Sequence, residues 1–522
     1  MSTVVRPMAM AVAHVKRSRP ARRCLLLLLV ANVAACASVP LDVPKEASFA
    51  IDDTSATALG ELATGWSEIH GDASGFFPLV NGLDALGARL EMANRAQSTL
   101  DLQYFLMKDD EAGELISDAL WRAAERGVRV RFLLDDVFTS APDSGLLNLN
   151  QHPNIQVRIF NPISRRGLHA LNFIGHFRRA NRRMHNKSFT VDNVVGIVGG
   201  RNIADEYFQL KDDAVFSDFD VIAFGPAVRE VSASFDQYWN HSLAIPMDQL
   251  ASASDKRKLA PTGVAIELTE KSREIYREAL ASDLIHRLSS GIEPLFVAEA
   301  RVIADDPEKL QRARGMDNRK LAIELSEVLN DSRSELIFIT PYYVPGKDGI
   351  GFTQAITDKG VRVVVVTNSL ASNNHIPVHS AYSSYRRRVI QAGVELYEIR
   401  ANAGQVIAGQ QGPEKVTLHT KLIVIDRRYV FVGSLNLDPR SIEINAEMGL
   451  LIDSPQLASR IAVGVDQSLP MSTYRVVAEP GKTMEWHATI DGREVIETGE
   501  PLSGGWRRFL AWFLRIAPEG QL

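Results

Sequence analysis

One sequence motif occurs twice in this chain, and this internal repeat limits the possible architectures more than any other feature. The first copy, "HNKSFTVDNVVGIVGGRN", spans residues 185–202, and the second, "HTKLIVIDRRYVFVGSLN", spans residues 419–436. Three residue pairs keep the same separation of 234 positions, namely His185 and His419, Asp192 and Asp426, and Asn202 and Asn436. Two copies are too few for a solenoid. We therefore expect two similar halves that face each other.

Each half alternates between strand-like and helix-like segments. The strand pattern "STLDLQYFLM" is followed by the helical pattern "AGELISDALWRAAERG" and then by the strand pattern "VRVRFLLDD". Gly127 and Gly360 each follow a helical segment and precede a strand, which is the usual place of a glycine C-terminal cap. The alternation predicts an α/β protein whose halves are mixed β-sheets flanked by helices. We expect them to pack about a pseudo-two-fold axis with one shared active site.

Composition and repeat spacing together divide the chain into six segments. The predicted segments are a signal peptide at 1–35, a lipidated tether and lead-in at 36–78, the first half at 79–245, a linker or insertion at 246–330, the second half at 331–472, and a C-terminal hairpin with an amphipathic helix at 473–522. The tether is rich in Pro, Ser, Thr and Asp, as flexible lead-in segments are. The linker has no counterpart in the repeat.

The N-terminus has the pattern of an export signal. A cluster of Lys and Arg between residues 16 and 23 precedes the apolar run "CLLLLLVANVAAC". "VAAC" at 33–36 is similar to a bacterial lipobox, which predicts cleavage before Cys36 and attachment of lipid to it. The alternatives are an ordinary signal or an uncleaved anchor. We expect an envelope protein that is anchored at Cys36 and faces the periplasm. The outer membrane is favoured, since Ala37 is not aspartate. Arg22 and Arg23 leave the export route open between the general and the twin-arginine systems.

The overall charge argues against a dedicated nucleic-acid-binding protein. The 522 residues have a formal net charge of −5 and a pI of about 6.2, whereas nucleic-acid binders usually have a basic field. The net charge does not exclude a basic cleft in one part of the protein. The basic run "RRANRRMH" at 178–185 fits either a solvated face or attraction to lipid headgroups.

The spacing within the motif points to phosphate chemistry. On a strand, His185 and Lys187 face the same way, and two neighbouring cations are explained if an anion lies between them. With both halves together, one neutral histidine can attack phosphorus and the other can protonate the leaving oxygen. The lysines and asparagines would stabilise the phosphate oxygens, so we expect neither metal nor cofactor.

The two complete motifs and their flanks resemble the phospholipase D superfamily, in particular its bacterial cardiolipin synthase branch, over residues 80–472. The resemblance implies the phospholipase D fold. It implies His185 and His419 as nucleophile and acid–base pair, with His185 favoured as the nucleophile. It further implies the following assignments: Lys187, Lys421, Asn202, Asn436 and Ser434 as phosphate ligands, Glu447 and Asp218 as residues that orient the histidines, and Asp192 and Asp426 as motif aspartates with a mainly structural role.

The expected reaction is phosphatidyl transfer through a phosphohistidine, in which a glycerophospholipid and phosphatidylglycerol give cardiolipin. The main alternative is a hydrolytic phospholipase D that releases phosphatidate; a nuclease and a non-catalytic scaffold are less well supported. The expected partners are a phospholipid substrate and a membrane surface, without nucleic acid, and the protein is expected to be a monomer. His375 and His379 lack repeat partners, and His379 is interpreted as either a substrate-pocket residue or a loop histidine.

The C-terminal stretch "WRRFLAWFLRIAP" predicts an amphipathic helix. Trp506, Phe509, Leu510 and Phe513 would share one face, with Arg507, Arg508 and Arg515 opposite. This helix either lies on a membrane surface beside the active site or packs its apolar face on the body of the protein.

Overall fold

The computed structural model describes residues 39, 41, 43–163, 177–211, 214–257, 259, 267–291, 294–313, 315, 318–408, 413–490 and 492–516. Within these residues the chain forms twenty strands. They are β1 Ser74–Leu79, β2 Thr99–Tyr104, β3 Arg129–Asp135, β4 Ile155–Phe160, β5 Ser188–Val191, β6 Val195–Gly199, β7 Ala214–Ser217, β8 Asp220–Phe224, β9 Ala244–Pro246, β10 Phe296–Ala304, β11 Glu335–Ile339, β12 Arg362–Asn368, β13 Val394–Ile399, β14 Lys415–Leu418, β15 Leu422–Ile425, β16 Tyr429–Gly433, β17 Met448–Asp453, β18 Thr473–Val477, β19 Glu485–Ile490 and β20 Arg493–Glu497.

The described helices lie between these strands. They are α1 Ala58–His70, α2 Gly82–Arg95, α3 Glu111–Glu125, α4 Asp143–Asn150, α5 Phe177–Ala180, α6 Asp205–Phe208, α7 Pro226–Asn240, α8 Met247–Leu250, α9 Ala253–Arg257, α10 Glu270–Leu280, α11 Asp283–Ser289, α12 Lys320–Asn330, α13 Gly346–Thr357, α14 Ile376–Gln391, α15 Ala403–Ala408, α16 Pro439–Glu443, α17 Pro455–Ser472 and α18 Gly505–Phe513. Short 3₁₀ turns occupy Pro307–Leu310 and Leu514–Ile516. In this part of the chain no helix is long and apolar enough to cross a bilayer.

The two halves have matching sheets, which confirms the predicted fold class. The first half has the strand order β9-β4-β3-β2-β5-β6-β8-β1, in which β2, β3 and β4 are parallel and β5, β6 and β8 are antiparallel. The second half has the order β17-β16-β15-β11-β12-β13, with β11, β12 and β13 parallel. The C-terminal strands β18, β19 and β20 extend it beyond β13.

Strand β10, from the segment predicted as a linker, joins the two sheets. Its first residues pair with β1, where Ala298 lies opposite Ser74, and the rest pair with β17, where Ile303 lies opposite Gly449. The halves therefore share one continuous 18-stranded sheet within the described residues. β1 belongs to this sheet although it lies in the predicted lead-in segment.

A buried apolar layer lies between the halves. It combines Phe76 and Val198 of the first half with Val424 and Leu450 of the second. A second cluster packs α2 and α3 on the first sheet, and a third packs α14 on the second sheet. Burial of this much apolar surface fixes the halves relative to each other, so that loops at the carboxyl ends of equivalent strands meet around one site.

Candidate active site

A short parallel bridge brings the first histidine against the second half. Met184 pairs with Ala446, and the His185 amide donates to the Ala446 carbonyl at 2.8 Å. This places the Glu447 side chain beside His185, and the glutamate Oε2 lies 2.8 Å from the histidine Nδ1. The two residues are 262 positions apart in the chain.

A second bridge does the same for the other histidine. Strand β14 runs parallel to β7, with Leu418 opposite Ser217, and the His419 amide donates to the Ser217 carbonyl at 2.7 Å. The next residue on the first-half side is Asp218, whose Oδ2 lies 2.6 Å from His419 Nδ1. Each catalytic-motif histidine is therefore oriented by a carboxylate from the opposite half, and neither half contains a complete pair.

The lysines of the motif are buried within the same site. The Lys187 ammonium donates to the His185 carbonyl at 2.6 Å. The Lys421 ammonium bonds the His419 carbonyl and lies 3.2 Å from His419 Nε2. Lys187 and Lys421 are only 2% and 1% exposed, so their charges act through a poorly solvated medium.

The two asparagine side chains of the motif have amide oxygens without a hydrogen-bond partner among the described residues, and the side chain of Asn202 is held by Tyr207. Asn202 Nδ2 donates to the Tyr207 hydroxyl at 2.9 Å. Among the described residues, neither Asn202 Oδ1 nor Asn436 Oδ1 has a hydrogen-bond partner. Both side chains are buried.

Burial dominates the protonation of the two histidines. It lowers the pKa of His185 to about 4, opposed by the charge of Glu447 and assisted by Lys187. It likewise lowers the pKa of His419 to about 3, with Lys421 acting in the same direction and Asp218 opposing. Both imidazoles are therefore neutral near pH 7 in the unliganded protein.

Burial and neighbouring charges also shift the pKa values of the lysines and carboxylates of the site. Burial lowers the pKa of Lys187 to about 7 and that of Lys421 to about 8. Burial, the largest single influence, would raise the pKa values of Asp218 and Glu447, but the neighbouring histidine and lysine and the hydrogen bonds to each carboxylate together outweigh it, and the net shift is downward. An ionised carboxylate only accepts hydrogen bonds, so Nδ1 of each histidine carries the proton and Nε2 keeps its lone pair.

The structure gives Ser434 a contact other than the predicted one with phosphate. Its hydroxyl donates to Glu447 Oε2 at 2.5 Å and accepts from the Met448 amide at 3.0 Å. Ser434 therefore helps to hold Glu447 in place, and its role as a phosphate ligand stays a prediction. The first half has Gly200 in its place, because a Cβ there would lie 2.1 Å from Asp218 Oδ1. The shorter side chain of Asp218 therefore lies beside a glycine, and the longer side chain of Glu447 lies beside Ser434.

The motif aspartates stabilise the backbone at the far end of the histidine strands. Asp192 accepts from the amides of Gln97, Ser98 and Thr99. Asp426 accepts from the amides of the equivalent segment, 333–335. At about 3.3 Å per strand residue, seven positions place each aspartate about 23 Å along the chain from its histidine. This geometry matches the structural role implied by the resemblance and not a role at the reacting atoms.

Four side chains of the site were not identified from the sequence. The Phe105 ring packs edge-on against His185 at 4.7 Å, and Tyr207 and Phe216 contact His419 at 5.0 and 5.3 Å. Asp305, in the predicted linker, accepts from the Glu447 amide at 3.2 Å. The aromatic end of the repeated strand β2 signals Phe105, whereas Tyr207 and Phe216 lie outside the repeated strands and no repeat could reveal Asp305.

The two histidines without a counterpart in the repeat, His375 and His379, lie at helix α14. His375 caps α14, and His379 lies within α14, 1% exposed, not in a loop as one reading of the sequence had it. Its Nε2 lies 3.0 Å from the Arg386 guanidinium, which also bonds Glu500. His379 thus helps to attach the C-terminal segment. Cys36 lies outside the described residues, and within them no group of three or more His, Cys, Asp or Glu side chains could hold a metal ion.

Comparisons with known proteins agree with this geometry. A family described as "Cardiolipin synthase, PLD-like domain" matches residues 90–239 and 325–468, one segment in each half. Cardiolipin synthase C of Escherichia coli (strain K12) is 37% identical over 86% of this chain and 96% of its own length. Cardiolipin synthase A of Pseudomonas syringae is 24% identical over 78% of this chain and 71% of its own length. The crystal structure of phosphatidylserine synthase from Haemophilus influenzae matches with a TM-score of 0.53 at 16% identity, over 78% of this chain and 90% of that one, which shows the shared fold.

Proposed function

This chain belongs to the family of cardiolipin synthases with a phospholipase D-like domain, and we propose that it is a phosphatidyl transferase that makes cardiolipin from a glycerophospholipid donor and phosphatidylglycerol. The observation that carries the proposal is the pair of buried histidines, each bonded through Nδ1 to a carboxylate of the other half. Each Nε2 is thereby available to phosphorus or to an oxygen leaving it.

In the first step, His185 Nε2 attacks the phosphorus of the donor diester. A P–N bond forms and the P–O bond to the donor headgroup breaks. His419 gives its proton to the departing alkoxide, which leaves as an alcohol. His419 takes up this proton on Nε2 when the substrate binds, because the negative charge of the bound phosphate raises the pKa of the histidine above its value of about 3 in the empty site.

In the second step, the free hydroxyl of phosphatidylglycerol attacks the same phosphorus. Its proton passes to the now neutral His419, the P–N bond breaks, and His185 regains its lone pair. Lys187 and Lys421 stabilise the negative charge on the non-bridging oxygens through both steps. Water in place of the lipid alcohol would give phosphatidate by the same path, which is the hydrolytic alternative.

A product assay tests the proposed transfer. Purified protein is incubated with vesicles that contain acyl-labelled phosphatidylglycerol, with and without an unlabelled second phospholipid, and the lipids are separated by chromatography. We expect labelled cardiolipin from the wild type and none from His185→Ala or His419→Ala. His487→Ala is the matched control, because that ring contacts the surface residues Glu485 and Glu494. Labelled phosphatidate as the sole product would instead establish the hydrolase.

We further propose that the enzyme acts at the bacterial envelope as a monomer anchored by lipid at Cys36, facing the periplasm and favouring the outer membrane. The basic cluster, apolar run and "VAAC" sequence before Cys36 support this location. Wild-type protein should incorporate labelled fatty acid and fractionate with the outer membrane, whereas Cys36→Ala should incorporate none. An unmodified N-terminus on membrane-bound wild-type protein would contradict the anchor.

A further inference from the structure

The C-terminal helix presents its aromatic face outward. On α18, Trp506 and Trp512 are 70% and 62% exposed, and Phe509 and Phe513 are 47% and 49% exposed. The Phe509 ring contacts the other three rings at centroid distances between 5.5 and 6.3 Å. These four side chains, called here the aromatic face, form a contiguous apolar patch of a kind that soluble surfaces usually exclude.

The opposite face of α18 attaches it to the body of the protein. The Arg507 guanidinium donates to the Leu370 carbonyl at 2.8 Å and also bonds the Asn373 carbonyl. Ala511 is buried on the same side. Of the four residues predicted for the apolar face, Trp506, Phe509 and Phe513 are thus exposed and do not pack on the body, whereas Leu510 is half-buried. The aromatic face is held outward by a fixed contact.

The loop that holds Arg507 is connected to the active site through the strand before it. It follows β12, whose last residue, Asn368, bonds both the amide and the carbonyl of Leu418 at 2.9 and 2.8 Å. The next residue is His419. The helix is therefore connected to the second catalytic histidine through one loop and one asparagine.

The first half exposes an aromatic ring in the loop that corresponds to the one holding Arg507. Phe138, 51% exposed, lies in the loop after β3, the strand that corresponds to β12 in the repeat. Its ring lies 5.4 Å from Phe105, which in turn lies 4.7 Å from His185. His185 is bonded to Glu447 of the second half and His419 to Asp218 of the first, so the two exposed features are connected to a single site.

We propose that the aromatic face of α18 and Phe138 together form a docking surface for an anionic phospholipid bilayer, which brings the active-site mouth to the lipid headgroups. The inference rests on the proposed function, because only a lipid substrate requires the mouth to face a bilayer. The two tryptophans of the face and the exposed Arg508 and Arg515 are typical of helices at an anionic interface. No acidic residue occurs between 501 and 517. At about 1.5 Å per residue, α18 is too short to span the bilayer.

Vesicle binding measured without turnover tests the docking surface. Full-length protein is floated with vesicles of phosphatidylcholine and phosphatidylglycerol, and the bound fraction of wild type is compared with those of Trp506→Ser/Trp512→Ser and Phe138→Ser. Every sample also carries Cys36→Ala, so that lipid attached at Cys36 does not contribute to the binding. The control is Ile69→Ser, which removes a 77% exposed apolar side chain from α1. We expect at least a tenfold lower vesicle affinity for the double variant, a smaller loss for Phe138→Ser, and no change for the control. Equal affinity for the wild type and the double variant would overturn the proposal.

Two further measurements separate the remaining outcomes. Hydrolysis of a short-chain, water-soluble phosphodiester should be the same in the wild type and the double variant, since the substitutions leave the site intact. Loss of both this hydrolysis and vesicle binding, together with a lowered Tm, would make α18 a structural helix and overturn the docking role. Sedimentation of wild-type protein as a dimer that the double substitution dissociates, with unchanged vesicle binding, would assign the face to a second copy of the chain. Vesicle binding through the aromatic face without any cardiolipin or phosphatidate would leave docking established and refute the proposed function.

Discussion

Glu447 Oε2 lies 2.8 Å from His185 Nδ1, although the two residues belong to different halves of the molecule. Asp218 and His419 repeat this relationship in the opposite direction at 2.6 Å. A duplicated domain could have supplied each histidine with a carboxylate from its own half. The crossed arrangement instead makes the site dependent on the packing of the halves, which β10 and the shared apolar layer maintain.

Substitution of Gly200 should disable the site by displacing Asp218. A Cβ at this position would lie 2.1 Å from Asp218 Oδ1, so Gly200→Ala must push the carboxylate away from His419. We expect kcat/KM to fall at least a hundredfold, a size typical of losing one transition-state contact. Gly351→Ala is the control, because its new Cβ would meet nothing within 4 Å. Full activity of Gly200→Ala would show that the Asp218 contact is dispensable.

Loss of the Ser434 hydroxyl should affect the chemical step more than substrate binding. Ser434→Ala removes a hydrogen bond to a buried carboxylate, worth about 1.5–3 kcal/mol, which predicts roughly a tenfold to hundredfold lower kcat. Ser434→Thr keeps the hydroxyl and serves as the comparison. Steady-state kinetics decide between the two roles, since a raised KM with unchanged kcat would support the predicted role of Ser434 as a phosphate ligand.

The motif aspartates should matter for stability. Asp192→Ala removes the acceptor for three backbone amides and should lower the free energy of unfolding by about 2–4 kcal/mol, measured by urea titration. Asp192→Asn should lose less, because asparagine tolerates the φ of 51° found here and keeps one acceptor oxygen. The folded fraction of either variant should keep its kcat. A large fall in kcat without loss of stability would place Asp192 in catalysis.

Activity should decrease as the pH rises above neutrality. Lys187 and Lys421 have pKa values of about 7 and about 8, so they lose their charge between pH 7 and 9 and bind phosphate less well. The acid histidine also becomes harder to protonate over this range, which acts in the same direction. We expect kcat/KM to fall steadily from pH 7 to 9, and less steeply in Lys187→Arg, whose guanidinium stays charged. A kcat/KM that is constant or rising up to pH 9 would contradict these assignments.

The repeat predicted a large part of this site, for a physical reason. Side-chain alternation on a strand and a constant separation of 234 positions are local properties, and they identify His185, Lys187 and their counterparts. The bridges that cross the halves depend on tertiary contacts. β7 and β14 are four-residue strands outside the motif, and Asp305 lies in a segment without a repeat partner. Their contribution could therefore be recognised only in the folded chain.

The sequence also left the role of individual polar groups open. From the motif alone, Ser434 and Asn436 are equally good candidates for phosphate ligands, because both are small polar residues near the end of a strand. In the structure, the serine hydroxyl is bonded to Glu447, whereas Asn436 Oδ1 has no partner among the described residues. Such a distinction depends on side-chain direction across a turn, which spacing does not encode.

The central claim is that a histidine of this shared site becomes covalently phosphorylated, and trapping that intermediate tests it most directly. Protein is mixed briefly with phospholipid labelled in its phosphate, quenched under alkaline conditions in which phosphohistidine persists, digested and analysed by mass spectrometry. We predict label on the peptide that contains His185, its loss in His185→Ala, and accumulation of label in His419→Ala if release is slowed more than formation. Turnover of lipid by wild-type protein with no label on either His185 or His419 would contradict the account.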